Sequence, residues 1–357
     1  MKKVIVVSPS LDTTKNVSGI STVVQYMINH NDKVEYLHFE QGRHDGENSF
    51  HRFFELIKQY VSWKRLLEEN PDAIIHYNYP LMFFSSLRDY IFMAAAKKKK
   101  CKLLVHVHGG DYLMRNDVPL IPKLCIKKVF GWQVPVVVTS EVEKQHLEDA
   151  YGLKKVTVLQ NCVDLQDDAN FRHAFPSDNK PLTFGYLGRI TKNKGIGFLL
   201  EACRKLKEVG VPFRFVMAGK EENKGEYVNS FKEVLDARFE FIGVVNIEMK
   251  KQLLRKMDVL VLPSFFEGLP MSLLECMAYG VVPLCTPVGS ITTVLKDGES
   301  GLLLNVKDSD SIVKQMKYLH ENRTELNRLS KNAHATIMKT YSPKKYAEIL
   351  NELYEEA

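Results

Sequence analysis

The sequence predicts an α/β protein built from two doubly wound halves, and three observations carry that reading. Apolar runs of strand length alternate with stretches of 3.6-residue apolar spacing along the whole chain. That is the pattern of parallel sheets covered by helices on both faces. A polar segment at residues 164–181, DLQDDANFRHAFPSDNKP, interrupts the alternation near the middle. The length, 357 residues, exceeds what one ordinary core organises, so two domains of roughly 150–200 residues are expected.

In the first half the strand candidates are KVIVVSP, AIIHYNY, KLLVHVHG, VPVVVTS and VTVLQN. The opening MKKVIVVSPS has the positive residues of an export signal, but its apolar run of five fits a first buried strand better. The apolar helix YIFMAAA ends in four lysines at 97–100. Cations at a helix C-terminus are ordinary, and an anionic lipid surface is the other partner such a cluster suits. The second half offers LTFGYLG, FRFVMAG, FEFIG, DVLVLPS, VVPLCT and GLLLNV as strands, with helical spacing at 197–209 and 247–257. Residues 342–357 form one more amphipathic helix, with Tyr346, Ile349, Leu350 and Leu353 on one side.

Apolar residues make up 45% of the chain and charged residues 26%, as in soluble globular proteins. The net charge of +6 suits anionic ligands or an acidic membrane surface. It is not the basic stripe of a nucleic-acid binder. Six cysteines lie scattered without a C-x-x-C pair, so reduced, buried thiols in a cytosolic protein are expected. No apolar stretch nears the roughly 18–20 residues that span a bilayer. A cytoplasmic protein is expected, with any membrane contact peripheral.

The residues suited to chemistry fall at strand ends, where open parallel sheets bind ligands. In LGRITKNKG, Arg189 and Lys194 sit between a strand and the next helix. Two fixed cations there suit a diphosphate, since Arg grips two oxygens and Lys adds a compact charge. In FFEGLPMSLLECMAYG, residues 265–280, Glu267 lies in the loop after DVLVLPS and Glu275 lies about one turn inside a short helix. Pro270 fits the first helical turn and Gly280 the helix end. The unbonded amides of Met271 and Ser272 then make an anion site with a carboxylate on each side.

Glu267 and Glu275 have the spacing of the E-x(7)-E signature, and the block PSFFEGLPMSLLECMAYGVVPLCTPVGSITTVLKDGESGLLL resembles glycosyltransferase family 4. GRITKNKG, VMAG, FIGVV and VLQNCVD stand in the family's order; the resemblance is strong over residues 183–304 and looser before. It implies a GT-B fold, two Rossmann-like domains facing across a cleft, with boundaries at 1–170 and 171–341 and the helix 342–357 returning to the first domain. It implies a retaining, metal-independent hexosyltransferase that moves a sugar from a nucleotide-diphosphate donor to a hydroxyl, with no cofactor. Lipid-linked glycans of the cell envelope are the implied acceptors. Carried over by position, Glu275 holds the ribose, Glu267 the donor sugar, and Arg189, Lys194 and the amides of Met271 and Ser272 the diphosphate. The base lies near Ile242 and Gly243. Front-face attack is implied, with the leaving phosphate taking the acceptor proton and domain closure excluding water.

The first half matches less closely. Gly19, in NVSGISTVV, resembles the family's glycine loop, although Ser18 stands where a first glycine is common. His106 and His108 in VHVHGGDY face the same way on a strand. Such a pair can bind zinc, but no third and fourth ligand follow at suitable spacing. The resemblance puts His108 at the catalytic centre and makes Asp111 and His106 acceptor contacts, with core packing the other reading of His106. Cys162 replaces a common glycine, while Asn161 can still hold the loop. Asp308 and Asp310 form a D-x-D that reads as a helix N-cap rather than a metal site. A sugar-nucleotide epimerase of the same fold, or a non-catalytic sugar-nucleotide-binding subunit, are the alternatives. G-x-G-x-x-G and G-x-x-x-x-G-K-[ST] are absent, which argues against nicotinamide oxidoreductases and phosphate-loop NTPases.

Overall fold

The computed structural model describes residues 1–356 apart from 13, 14, 17, 43–48, 110, 111, 114, 116, 164–172, 178, 179, 223 and 224, and does not describe the side chains of 49–53. The chain divides into two compact units, Met1–Cys162 with Pro343–Ala357, and Val163–Ser342.

Unit 1 opens with β1 (Lys2–Ser8), in which residues 4–8 are all buried. A run without polar alternation suits a strand covered on both faces. Then come α1 (Gly19–His30), β2 (Val34–Glu40), α2 (Ser49–Glu69), β3 (Ile74–Tyr79) and α3 (Phe83–Lys98). The unit continues through β4 (Lys102–Val107), α4 (Leu120–Gly131), β5 (Val136–Val138), α5 (Glu141–Tyr151) and β6 (Val156–Val158). Its sheet is parallel, in the order β2-β1-β3-β4-β5-β6. On one face Trp63, Phe92 and Phe130 pack with Tyr77 and Tyr79.

Unit 2 begins with β7 (Leu182–Leu187), α6 (Ile196–Glu208), β8 (Phe213–Ala218), α7 (Glu226–Leu235), β9 (Phe239–Gly243) and α8 (Ile247–Lys256). Next are β10 (Val259–Leu262), α9 (Met271–Ala278), β11 (Val282–Cys285), α10 (Ile291–Val294) and β12 (Leu302–Leu303). Two helices close it, α11 (Ser309–Glu321) and α12 (Arg323–Thr340). The sheet order is β12-β11-β10-β7-β8-β9. The last helix, α13 (Pro343–Glu356), packs on α1 of unit 1, and Lys2 Nζ donates to Tyr354 O at 3.1 Å.

Both sheets reverse direction beside their first strand, because β1 lies between β2 and β3 and β7 between β8 and β10. That reversal opens a crevice beyond the carboxyl ends, where doubly wound sheets take ligands. Two details differ from the sequence reading. β2 is a strand that no apolar run announced, and Pro270 is the N-cap of α9 rather than a residue of its first turn. Asp308 does cap α11, accepting from the amides of Asp310 and Ser311, and all six cysteines are free and buried.

Candidate active site

At the switch point of unit 2, close backbone packing brings two loops together. Gly195, at φ +72°, stands so near Pro263 that a Cβ would lie 2.0 Å from its carbonyl oxygen, so only glycine fits. The Phe265 amide donates to Asn193 O at 2.9 Å. This stitching sets Lys194 Nζ 2.7 Å from Glu267 Oε1, and the buried Ser264 hydroxyl donates to the same oxygen at 2.7 Å. On the other side Gly289, at φ +57°, abuts Glu267 O, and the Ser290 amide donates to Gly268 O at 3.0 Å. A carboxylate so confined keeps its position without a ligand, which is the preorganisation that electrostatic catalysis needs.

The helix that follows, α9, is where the anion site is expected. Its first intrahelical bond runs from the Leu273 amide to Pro270 O at 3.1 Å, so the amides of Met271 and Ser272 precede the bonded ladder. Glu275, 4% exposed, meets Lys250 Nζ at 2.5 Å. Arg189 follows β7; its carbonyl accepts from the Tyr186 hydroxyl at 2.6 Å, and its guanidinium lies 3.6 Å from Glu222. Gly243 ends β9 and accepts from the Gly219 amide at 2.8 Å, while Ile242 lines a groove with Arg214, Arg238 and Met249. Unit 2 thus gathers Arg189, Lys194, Glu267 and the start of α9 at the ends of β7 and β10.

Unit 1 carries the histidines. Asn78 and His106 are register partners on β3 and β4. Asn78 Nδ2 donates to Val7 O at 2.9 Å, so its Oδ1 faces His108 and lies 2.6 Å from Nε2. An amide oxygen only accepts, so His108 carries its proton on Nε2 and keeps Nδ1 as an acceptor. Burial pushes the His108 imidazole down to about 3, which keeps it neutral near pH 7. His106 stacks on His108 with ring centres 3.9 Å apart, and its Nδ1 lies 3.1 Å from His76 Nε2. At 1% exposure His106 sits beneath His108 with no surface for an acceptor, so the expected direct contact gives way to a supporting position. Gly19 begins α1 as expected, and Asp111 lies outside the described residues. Among the described residues no group of three or more metal-binding side chains occurs.

Sequence reading missed Lys250, Ser264, Asn78 and His76. Asn78 and His76 had a signal, since they alternate on a strand like the histidine pair they meet. Lys250 had none, because only the sheet order carries it to Glu275.

Two tandem Rossmann-like units, one with acid–cation pairs around a helix start at its switch point, define the class of two-domain glycosyltransferases. The sequence model described as Glycosyltransferase Family 4 matches residues 19–167, and that of Glycosyl transferases group 1 matches 167–336. A Campylobacter jejuni relative is 24% identical over 303 residues, covering 84% of this chain and 79% of its own. It is named GalNAc-alpha-(1->4)-GalNAc-alpha-(1->3)-diNAcBac-PP-undecaprenol alpha-1,4-N-acetyl-D-galactosaminyltransferase. UDP-Gal:alpha-D-GlcNAc-diphosphoundecaprenol alpha-1,3-galactosyltransferase of Escherichia coli is 23% identical, with coverage of 84% and 79%. The crystal structure of Anabaena HepE with UDP and glucose shares the fold over all of both chains, with a TM-score of 0.77 at 15% identity. The chain belongs to glycosyltransferase family 4 and is a glycosyltransferase of GT-B fold.

Proposed function

We propose that the protein transfers a hexosyl group from a nucleotide-diphosphate donor to a hydroxyl of a lipid-linked glycan, with retention and without a metal, in cell-envelope glycan synthesis. The observation that carries this reading is the Glu267 carboxylate held by Lys194 and Ser264 beside the open amides of α9. In this reading Glu275 and Lys250 hold the ribose, and Ile242 and Gly243 border the base. The donor diphosphate lies on Arg189, Lys194 and the amides of Met271 and Ser272. As the bond from the anomeric carbon to the phosphate oxygen breaks, these donors stabilise the leaving charge. The acceptor oxygen bonds to the same face, and its proton passes to the leaving phosphate oxygen. The neutral His108 offers Nδ1 to a substrate hydroxyl, and Gly19 leaves room for the donor phosphate. The names of the Campylobacter and Escherichia relatives support a diphosphate-linked lipid acceptor.

A peripheral contact with an anionic membrane face is part of the proposal. Phe83, Leu87 and Ile91 of α3 and Leu120, Ile121 and Leu124 of α4 are exposed on neighbouring helices. Neither helix carries an exposed acid, and Lys123 and Lys127 flank the apolar residues. Apolar side chains beside lysines suit an anionic bilayer surface. Among the described residues no helix is long and apolar enough to cross a membrane.

The test incubates the protein with UDP-, GDP- and ADP-sugars, with and without a diphosphate-linked acceptor. Proton NMR then reads the anomeric configuration of the product. A new glycosidic bond with the donor's configuration is expected. Isomerised donor without acceptor would favour the epimerase, and failure to bind every donor class would overturn the reading.

A further inference from the structure

A second polar cluster in unit 1 has no part in the roles given so far. Tyr77 points to the sheet face opposite His76 and Asn78, and its hydroxyl lies 2.5 Å from Gln41 Oε1 and 3.1 Å from Asp89 Oδ1. Asp89 Oδ1 also accepts from Arg88 Nε at 2.6 Å. The Asp89 side chain is fully buried and that of Arg88 only 16% exposed. Among the described residues Nε is the one Arg88 nitrogen with a hydrogen-bond partner; the two Nη groups have none. Asp89 Oδ2 and Gln41 Nε2 are buried without partners, while the Arg88 Nη groups are not among the buried atoms.

The position of this fork gives it meaning. Arg88 Nη1 lies 4.0 Å from where a Cβ on Gly42 would stand, a point 3.7 Å from Pro9 Cα. Gly42 and Pro9 follow the carboxyl ends of β2 and β1, and Tyr77 lies near that end of β3. The guanidinium therefore opens at the switch point of unit 1, where a doubly wound sheet takes ligands.

A guanidinium withdrawn from water is costly unless its donors are bonded. A solvated surface arginine would meet that need with water, but 16% exposure leaves little. One bond to Asp89 sets the plane of the group and turns the paired Nη edge outward. That edge matches the two oxygens of a carboxylate or phosphate.

We infer that Arg88 anchors the acceptor by an oxyanion, a carboxylate or a phosphate ester, held on its two Nη groups while Asp89 positions the guanidinium. The inference rests on the glycosyltransferase reading for the word acceptor, but not for the site. The test uses full-length protein with labelled arginine and saturating UDP, which occupies any diphosphate site of the donor. Dimethylallyl diphosphate and glucuronate are titrated separately, following the Arg88 side-chain NMR signal and calorimetric affinity. One probe is expected to move that signal, and its identity separates a phosphate source from a carboxylate source. Arg88→Gln and Arg88→Lys should each weaken that probe at least tenfold while UDP affinity stays within twofold. Asp89→Asn keeps the side-chain shape and should weaken the probe less than Arg88→Gln does. The inference is overturned if neither probe shifts the wild-type signal, or if folded variants, checked by thermal unfolding, bind as the wild type does. A wild type that fails to bind UDP would sink the donor reading instead, and the probe titration would still decide the role of Arg88.

Discussion

Glu267 shows how much of the proposed catalysis depends on a few ångströms of confinement. Its carboxylate faces one ammonium and one hydroxyl, both at 2.7 Å, and it cannot drift because neighbouring backbone closes on its loop from two sides. Glu267→Gln keeps the shape and removes the charge. The expected result is a fall in transfer rate of about 100-fold or more, the scale of losing one preorganised transition-state contact. UDP affinity, measured by calorimetry, should change less than about threefold, since the base and ribose contacts lie elsewhere and Lys194, the partner of Glu267, keeps its charge for the diphosphate. Equal losses in both would assign Glu267 to nucleotide binding instead. Asn78 makes a separate case. Asn78→Asp puts a negative charge against His108 Nε2, which favours the imidazolium and raises a pKa now held at about 3. Activity in the wild type should not respond to His108 between pH 6 and 8, whereas the variant should gain a titration in its rate profile.

At the scale of elements, tight turns and helix faces matter most. Gly195 lets the loop after β7 run against Pro263, which carries Lys194 to Glu267. Gly195→Ala forces both a strained φ and a collision with a backbone oxygen. We expect roughly 1–3 kcal/mol of lost stability, read as a lower denaturant midpoint, with weaker donor binding. The apolar face of α3 and α4 answers to a different test. Phe83→Ser with Leu124→Ser removes two exposed apolar side chains without touching the sheet. Sedimentation with anionic vesicles should drop at least tenfold, as the loss of about 1.5–3 kcal/mol per buried side chain allows. Vesicles of zwitterionic lipid should retain little of either protein. Undiminished sedimentation of the double variant would remove this face from the proposal.

At the scale of the whole molecule, the buried histidines tie stability to pH. His76 and His106 are 0% and 1% exposed, and burial lowers both from an ordinary 6.5, His76 to about 3. They stay neutral in the folded protein while the unfolded chain protonates them below pH 6.5. Unfolded protein then binds more protons, so their contribution is present above that pH and is lost as pH falls. Each contributes up to about 1.4 kcal/mol per pH unit. The denaturant midpoint should therefore drop between pH 7.5 and pH 5.5, and His106→Leu should flatten the change. A midpoint that does not move would contradict neutral burial.

The chain's own pattern determined much of this molecule. Eleven strands, the edge strands β6, β9 and β12 among them, were legible as short apolar runs, whereas β2, VEYLHFE, breaks its apolar residues with Glu35, His38 and Glu40 and was not. The acid spacing at Glu267 and Glu275, the proline and glycine around α9, and the family they mark are local features, readable because helices and turns depend on neighbours in sequence. Tertiary structure alone decided the partners. Lys250 meets Glu275, Asn78 sets the proton on His108, and Arg88 opens beside Gly42 and Pro9, all through sheet order and register. Such pairs lie tens of residues apart, and no local periodicity encodes which strand end will lie beside which.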